Sequence, residues 1–184
     1  MRGSLAERLK KTVVLVGMMG AGKTAVGSHL ARSLGVPFLD SDDEIERAAS
    51  MSIPEIFARD GEPFFRRKEA QVIARLLSGR PAILSTGGGA FMAPGTRAII
   101  AEKGVSVWLQ AKPSLLWSRV RARPTRPLLQ TENPRARLEA LCAERDPIYA
   151  LADLRVEGHP RLTIDDMVRR VIDALATRPD VLGP

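Results

Sequence analysis

Short β-branched apolar runs alternate with longer stretches in which apolar residues recur every three to four positions, and this alternation persists along nearly the whole chain. Thr12 to Val16, Val36 to Leu39, Pro81 to Ser85, Val105 to Leu109 and Asp153 to Glu157 read as strands. Between and after them, the helical spacing predicts helices over Ala25 to Leu34, Ser41 to Ala49, Pro54 to Leu77, Thr96 to Lys103, Ser114 to Val120, Pro134 to Ala150 and Ile164 to Thr177. Apolar strands separated by helices belong to sheets covered on both faces. The pattern therefore predicts an α/β fold of three layers, a five-stranded parallel sheet flanked by helices.

Residues 12–178 read as one domain, preceded by a polar, basic arm at 1–11 and followed by a frayed tail at 179–184. Residues 122–133, ARPTRPLLQTEN, crowd proline, arginine and polar residues together, so the stretch at about 119–133 is expected to be a mobile lid. Arg8, Lys10 and Lys11 ahead of an apolar stretch imitate a secretory signal. Three glycines, the following Lys23 and the lack of an A-x-A-like site argue against one. No window approaches the roughly 20 apolar residues of a membrane span. One cysteine, Cys142, can form no internal disulfide, which favours a reducing compartment. A soluble cytoplasmic protein, monomeric and with no membrane partner, is the expectation.

The charge balance, 28 Lys and Arg against 21 Asp and Glu for a net +7, changes this picture little. Arg119, Arg121, Arg123 and Arg126 cluster in the loop, but no aromatic residue interleaves with them as a stacking platform, so nucleic acid is not an expected partner. Steering of anionic substrates accounts for the excess.

The candidate chemistry begins at Gly17-Met18-Met19-Gly20-Ala21-Gly22-Lys23-Thr24, which fits G-x-x-x-x-G-K-[ST] between a predicted strand and a predicted helix. Glycines there let successive N–H groups face phosphate oxygens, and the helix contributes its positive end. Gly20, Ala21, Gly22, Lys23, Thr24 and Ala25 are thus the candidate nucleotide contacts, with Lys23 at the β and γ phosphates and Thr24 at Mg²⁺. The strands Pro81 to Ser85 and Val105 to Leu109 run into Thr86-Gly87 and Gln110, with no acid; instead Asp40 and Asp42 follow the second strand, at the sheet edge where ligands of open α/β sheets bind. One can hold a metal-bound water while the other accepts a proton from a substrate hydroxyl; the alternative is an N-cap for the next helix.

The motifs GMMGAGKT, FLDSD with Ile45-Glu46, DGEPFFR, STGGGA, RPLL and ERDPIY, in that order over residues 12 to about 178, resemble the shikimate kinase family. The resemblance implies a nucleoside-monophosphate-kinase-like fold and ATP-dependent phosphorylation of the 3-hydroxyl of shikimate, a step of chorismate and aromatic amino-acid biosynthesis. It further implies that Arg66 and Arg145 bind the shikimate carboxylate, Gly88 touches the substrate, and Asp42 binds ring hydroxyls, as proton acceptor or as a positioning group. Asp40 is implied to hold Mg²⁺ through water, and Arg126 to be a lid arginine on ATP. Arg119 and Arg121 compete for the adenine side. Glu69, one turn from Arg66, either orients its guanidinium or forms a plain surface pair. A gluconate-kinase-like enzyme and a nucleotide-sensing module are the alternatives. Cys142, Trp108 and Trp117 read as core, and His29 as a helix residue without chemistry.

Overall fold

The computed structural model describes residues 8–123 and 129–184, and the statements below concern those residues. Strands β1 (Thr12–Val16), β2 (Phe38–Asp40), β3 (Ile83–Ser85), β4 (Gly104–Gln110) and β5 (Leu154–Glu157) form one sheet of order β2-β3-β1-β4-β5. All pairings are parallel, with Val13 of β1 opposite Ile83 on one side and Val105 on the other. The connecting and covering helices are α1 (Lys23–Leu34), α2 (Ser41–Ala49), α3 (Ile53–Leu77), α4 (Pro94–Lys103), α5 (Pro113–Val120), α6 (Pro134–Tyr149) and α7 (Ile164–Ala176), with a 3₁₀ turn at Ala90–Met92.

Continuous apolarity explains the centre of the sheet. Every residue of β1 and β3 is buried, as are six of the seven in β4, so these strands carry side chains into the helical layers on both faces. A fully buried Leu or Val side chain contributes roughly 1.5–3 kcal/mol, and the core joins β1, β3 and β4 to α1, α6 and α7 through Leu15, Leu30, Leu138 and Val171. Trp108 and Cys142 lie in that core and Trp117 packs against it. No described helix is long and apolar enough to cross a membrane.

Local chemistry sets the helix ends. Ser52 and Glu55 form a capping box at the start of α3, and Thr163 and Asp166 form one at α7. Helix α1 stops at Gly35 in the left-handed region, and the next N–H, of Val36, returns to Ala31 O at 3.0 Å. This cap, followed by Pro37, is why β2 begins at Phe38 rather than at Val36 as the apolar run predicts. The predicted helix over Pro54 to Leu77 also has a break: Gly61 adopts φ 82°, ψ 168°, and Pro63 follows it. Proline removes an interior donor, and glycine tolerates the positive φ that the resulting kink requires.

The C-terminal residues correct the expectation of a frayed tail. Leu9 and Leu182 form an antiparallel bridge, and Val181 and Leu182 are buried. Lys10 N donates to Val181 O, Gly183 N donates to Arg8 O, and Lys11 pairs with Asp180 at 3.1 Å. Apolar Val181 and Leu182 have a core surface to cover, which outweighs the local signals for disorder.

Candidate active site

The loop Gly17–Gly22 leaves the carboxyl end of β1, the central strand, and delivers the chain into α1. Gly22 adopts φ 93° and Gly20 φ 81°, both in the region that side-chain-bearing residues avoid. A methyl group on Gly20 would also stand 2.8 Å from Val120 Cγ1 of α5. Lys23 Nζ donates to Gly17 O at 2.6 Å and to Met18 O at 2.9 Å, so its ammonium stands inside the curl of the loop. From the end of α5, Arg119 Nη1 donates to Gly20 O at 2.9 Å.

A cleft of about 570 Å³ opens above this loop. Gly20, Gly22, Lys23, Thr24 and Ala25 line one wall, and Asp40 and Asp42 line the turn after β2. Ser85 to Gly88, at the end of β3, together with Arg119, Val120 and Arg123 complete it. Ala21 is buried beneath the loop.

Asp40 is the N-cap of α2: its Oδ1 accepts from Asp42 N at 2.9 Å and Asp43 N at 3.2 Å. The capping alternative is thus realised, through one oxygen of the carboxylate, while the residue also lines the cleft. Burial raises its pKa against the pull of those N–H groups. Asp42 is pushed up to about 6, first by burial and then by the neighbouring Asp40 and Glu69 carboxylates, with Lys23 opposing.

Beyond Asp42 the structure brings together residues far apart in sequence around Gly87-Gly88-Gly89. A methyl group on Gly87 would lie 2.9 Å from Asp42 Oδ1, one on Gly88 3.1 Å from Arg145 Nη1, and one on Gly89 2.7 Å from Arg66 Nη1. The three predicted substrate side chains therefore each abut one glycine, and the bare backbone leaves them room in the positions they hold. Arg145 is 8% exposed on α6. Arg66 Nη1 donates to Glu69 Oε1 at 2.8 Å, with a longer pair to Glu62 at 3.4 Å; Glu69 is 3% exposed and Arg66 half-buried, so the contact with Glu69 is not a plain surface pair. Glu69 Oε2 is buried without a hydrogen-bond partner among the described residues. Burial raises the Glu69 pKa, with Arg66 and Arg145 pulling it back.

Other placements depart from sequence reasoning or go beyond it. Between the two arginines left competing on the nucleotide side, Arg119 is tied to the phosphate loop and lines the cleft. Ser85 and Thr86, the first two letters of STGGGA, also line it, although the motif reading gave a role only to the glycines. Tyr149 was legible only as the last letter of ERDPIY; it is fully buried and donates to Gly88 O. Its spacing of four from Arg145 was the available signal, since that places both on one helix face. Arg126, with the centre of the expected lid, lies outside the described residues.

The donor set fits Mg²⁺. Thr24, Asp40 and Asp42 offer hard oxygens in one cleft, and no group of three or more acidic, His or Cys ligands occurs among the described residues. Mg²⁺ typically takes one or two protein oxygens with waters and phosphates, which such a sparse set can supply.

A glycine-rich loop at the carboxyl edge of a parallel sheet, opening into a cleft that Asp40 and Asp42 also line, defines a P-loop nucleotide-binding protein. The model of the family described as shikimate kinase matches residues 19–176. A shikimate kinase of Cereibacter sphaeroides is 69% identical over 175 residues, covering 95% of this chain and 87% of that protein. One from Ruegeria pomeroyi is 64% identical over 177 residues, covering 96% and 91%. Among solved structures, shikimate kinase from Acinetobacter baumannii in complex with shikimate superposes with a TM-score of 0.88 at 39% identity, covering 95% of this chain and 97% of that one. The chain belongs to the shikimate kinase family of ATP-dependent kinases.

Proposed function

We propose that this protein transfers the γ-phosphoryl group of ATP to the 3-hydroxyl of shikimate, with Asp42, Arg66, Gly88 and Arg145 as the acceptor subsite. The observation that carries this assignment of residues is the convergence of Asp42, Arg145 and Arg66 on Gly87, Gly88 and Gly89, beside the phosphate loop. Two guanidinium groups from different helices match one carboxylate, and a carboxylate at the opposite side matches ring hydroxyls.

ATP phosphates lie along the N–H groups of Gly20 to Ala25, and Lys23 exchanges its loop carbonyls for phosphate oxygens. Thr24, and Asp40 through water, would hold Mg²⁺, which would supply neutralisation of phosphate charge. Arg66 is pre-aimed by Glu69, and with Arg145 it orients the acceptor so that the 3-hydroxyl faces the γ-phosphorus. The hydroxyl oxygen bonds to that phosphorus as the bond to the ADP oxygen breaks. Its proton passes to Asp42, which is ionised above about pH 6. Little base strength is needed in a loose transition state, so alignment and charge neutralisation carry most of the acceleration. Arg119 flanks the nucleotide, and the family resemblance assigns Arg126 a contact to ATP. Two anionic substrates suit the net charge of +7.

Incubation with MgATP and shikimate, followed by ³¹P NMR, tests the reading. A single new phosphomonoester resonance, split by the proton on the ring carbon that bears the 3-oxygen, is expected. Free phosphate appearing alone would instead mean that ATP is hydrolysed without an organic acceptor.

A further inference from the structure

The three glycines at 87–89 have no side chains with which to fix their own peptide planes, and glycine carries the largest backbone freedom of any residue. Their order must come from neighbours. Gly87 O accepts from Ala90 N at 3.1 Å and Gly89 O from Met92 N at 3.2 Å, which secures the two ends of the run. The middle carbonyl, Gly88 O, accepts from the hydroxyl of Tyr149.

We propose that Tyr149 is a positioning residue for the acceptor subsite, setting the orientation of the Gly88 peptide and, through it, the geometry in which Arg145 and the glycine loop receive the substrate. The inference rests on the assignment of Gly88 and Arg145 to that subsite.

Three observations carry it. Tyr149 lies one turn after Arg145 on α6, so helix geometry puts both side chains on one face. At Gly88 the two meet: a methyl group there would lie 3.1 Å from Arg145 Nη1 and 3.7 Å from the Tyr149 hydroxyl. The phenol and the guanidinium thus grip one peptide from the same helix. Since that peptide is planar and trans, tying the Gly88 carbonyl to the phenol turns the Gly89 N–H the opposite way. Gly89 is the residue beside Arg66, so the constraint reaches both arginines.

The tyrosine itself is immobilised. It has no exposed surface, its ring stacks at 6.5 Å from Phe91, and it lies 6.0 Å from Trp108. Burial pushes the phenol up to about 12, so it remains a protonated donor across the working range. A core residue selected for packing alone needs no hydroxyl, and a buried hydroxyl is retained at a cost unless its bond does something.

Tyr149→Phe removes the donor and keeps the ring, so the two aromatic contacts and the fold should survive. Steady-state kinetics on the purified variant, varying shikimate at saturating MgATP and then the reverse, are compared with wild type and with Arg145→Ala. The expected result is a KM for shikimate raised about five-fold, as for loss of one neutral hydrogen bond. kcat and the KM for MgATP should stay within two-fold, and the thermal midpoint near that of wild type. An unchanged KM for shikimate in Tyr149→Phe, with Arg145→Ala impaired, would overturn the proposal, as would equal losses for both substrates with a lowered midpoint, the mark of a packing role. If Arg145→Ala left the KM for shikimate unaltered, the subsite assignment would fall first and this inference with it.

Discussion

Replacing Asp42 by Asn should make the protein more stable and nearly inactive, and the two effects should separate with pH. The Asp42 pKa rises from 3.8 to about 6 on folding, chiefly through burial, with Asp40 and Glu69 adding repulsion. Because the folded value lies above the unfolded one, the folded state binds this proton more tightly. The destabilisation from ionising Asp42 is therefore absent below about pH 4, grows up to about pH 6 and is complete above it. Two pKa units correspond to about 3 kcal/mol. A buried Asn amide keeps part of the desolvation cost, leaving a net gain of about 1–2 kcal/mol at pH 8. For a chain of this size that is a thermal midpoint raised by roughly 3–6 °C. Midpoints of both proteins by differential scanning fluorimetry at pH 8 and pH 4 measure it, beside kcat at pH 8. The gap should close at pH 4, and phosphoryl transfer should fall by at least about a hundredfold. A variant less stable than wild type at pH 8, or a gap independent of pH, would refute the argument that the site holds Asp42 at a folding cost.

Four further outcomes follow from the same geometry. Wild-type kcat/KM should fall as pH drops through about 6, where Asp42 protonates, and a profile flat down to pH 5 in a coupled assay would exclude Asp42 as an essential carboxylate. Lys23→Ala should lose phosphoryl transfer while its circular dichroism spectrum stays that of wild type; near-normal turnover would contradict the phosphate-loop role. Arg145→Ala should weaken shikimate binding by about 10- to 150-fold, for a charge-assisted hydrogen bond of roughly 1.5–3 kcal/mol, with ATP affinity unchanged by calorimetry. Removing residues 179–184 should lower the thermal midpoint by several degrees through loss of buried Val181 and Leu182, leaving kcat intact.

The fold was legible because its central strands β1, β3 and β4 are buried on both faces. Thr12 to Val16 and the run after Gly104 are nearly unbroken apolar sequence, so neither depends on a period that a neighbour could override. The phosphate loop was legible because its spacing is a backbone requirement, written in glycines. Legibility failed where the deciding contact lies far along the chain. Val181 and Leu182 look like tail residues until Leu9 is placed beside them. The convergence of residues 42, 66, 88 and 145 is a product of strand order, which brings β2 beside β3 and folds α3 and α6 toward the end of β3. Family resemblance named these residues, but their mutual distances had no trace in the sequence. The spacings of Glu69 from Arg66 and of Tyr149 from Arg145 were legible, but the burial and hydrogen-bond geometry that give the two residues their contacts were not. The break at Gly61 was written in Gly61 and Pro63, yet the apolar spacing on either side concealed it.

The most direct test of the account is ADP release with MgATP and equal concentrations of shikimate, quinate, gluconate or a nucleoside monophosphate. Strong turnover is expected with shikimate and little with gluconate, which has no ring, or with the nucleoside monophosphate, which has no carboxylate, because Arg66 and Arg145 require a carboxylate and Asp42 a correctly placed ring hydroxyl. Comparable turnover with gluconate or the nucleotide would keep a P-loop kinase and contradict the acceptor subsite described here, and silence with all four would contradict phosphoryl transfer itself.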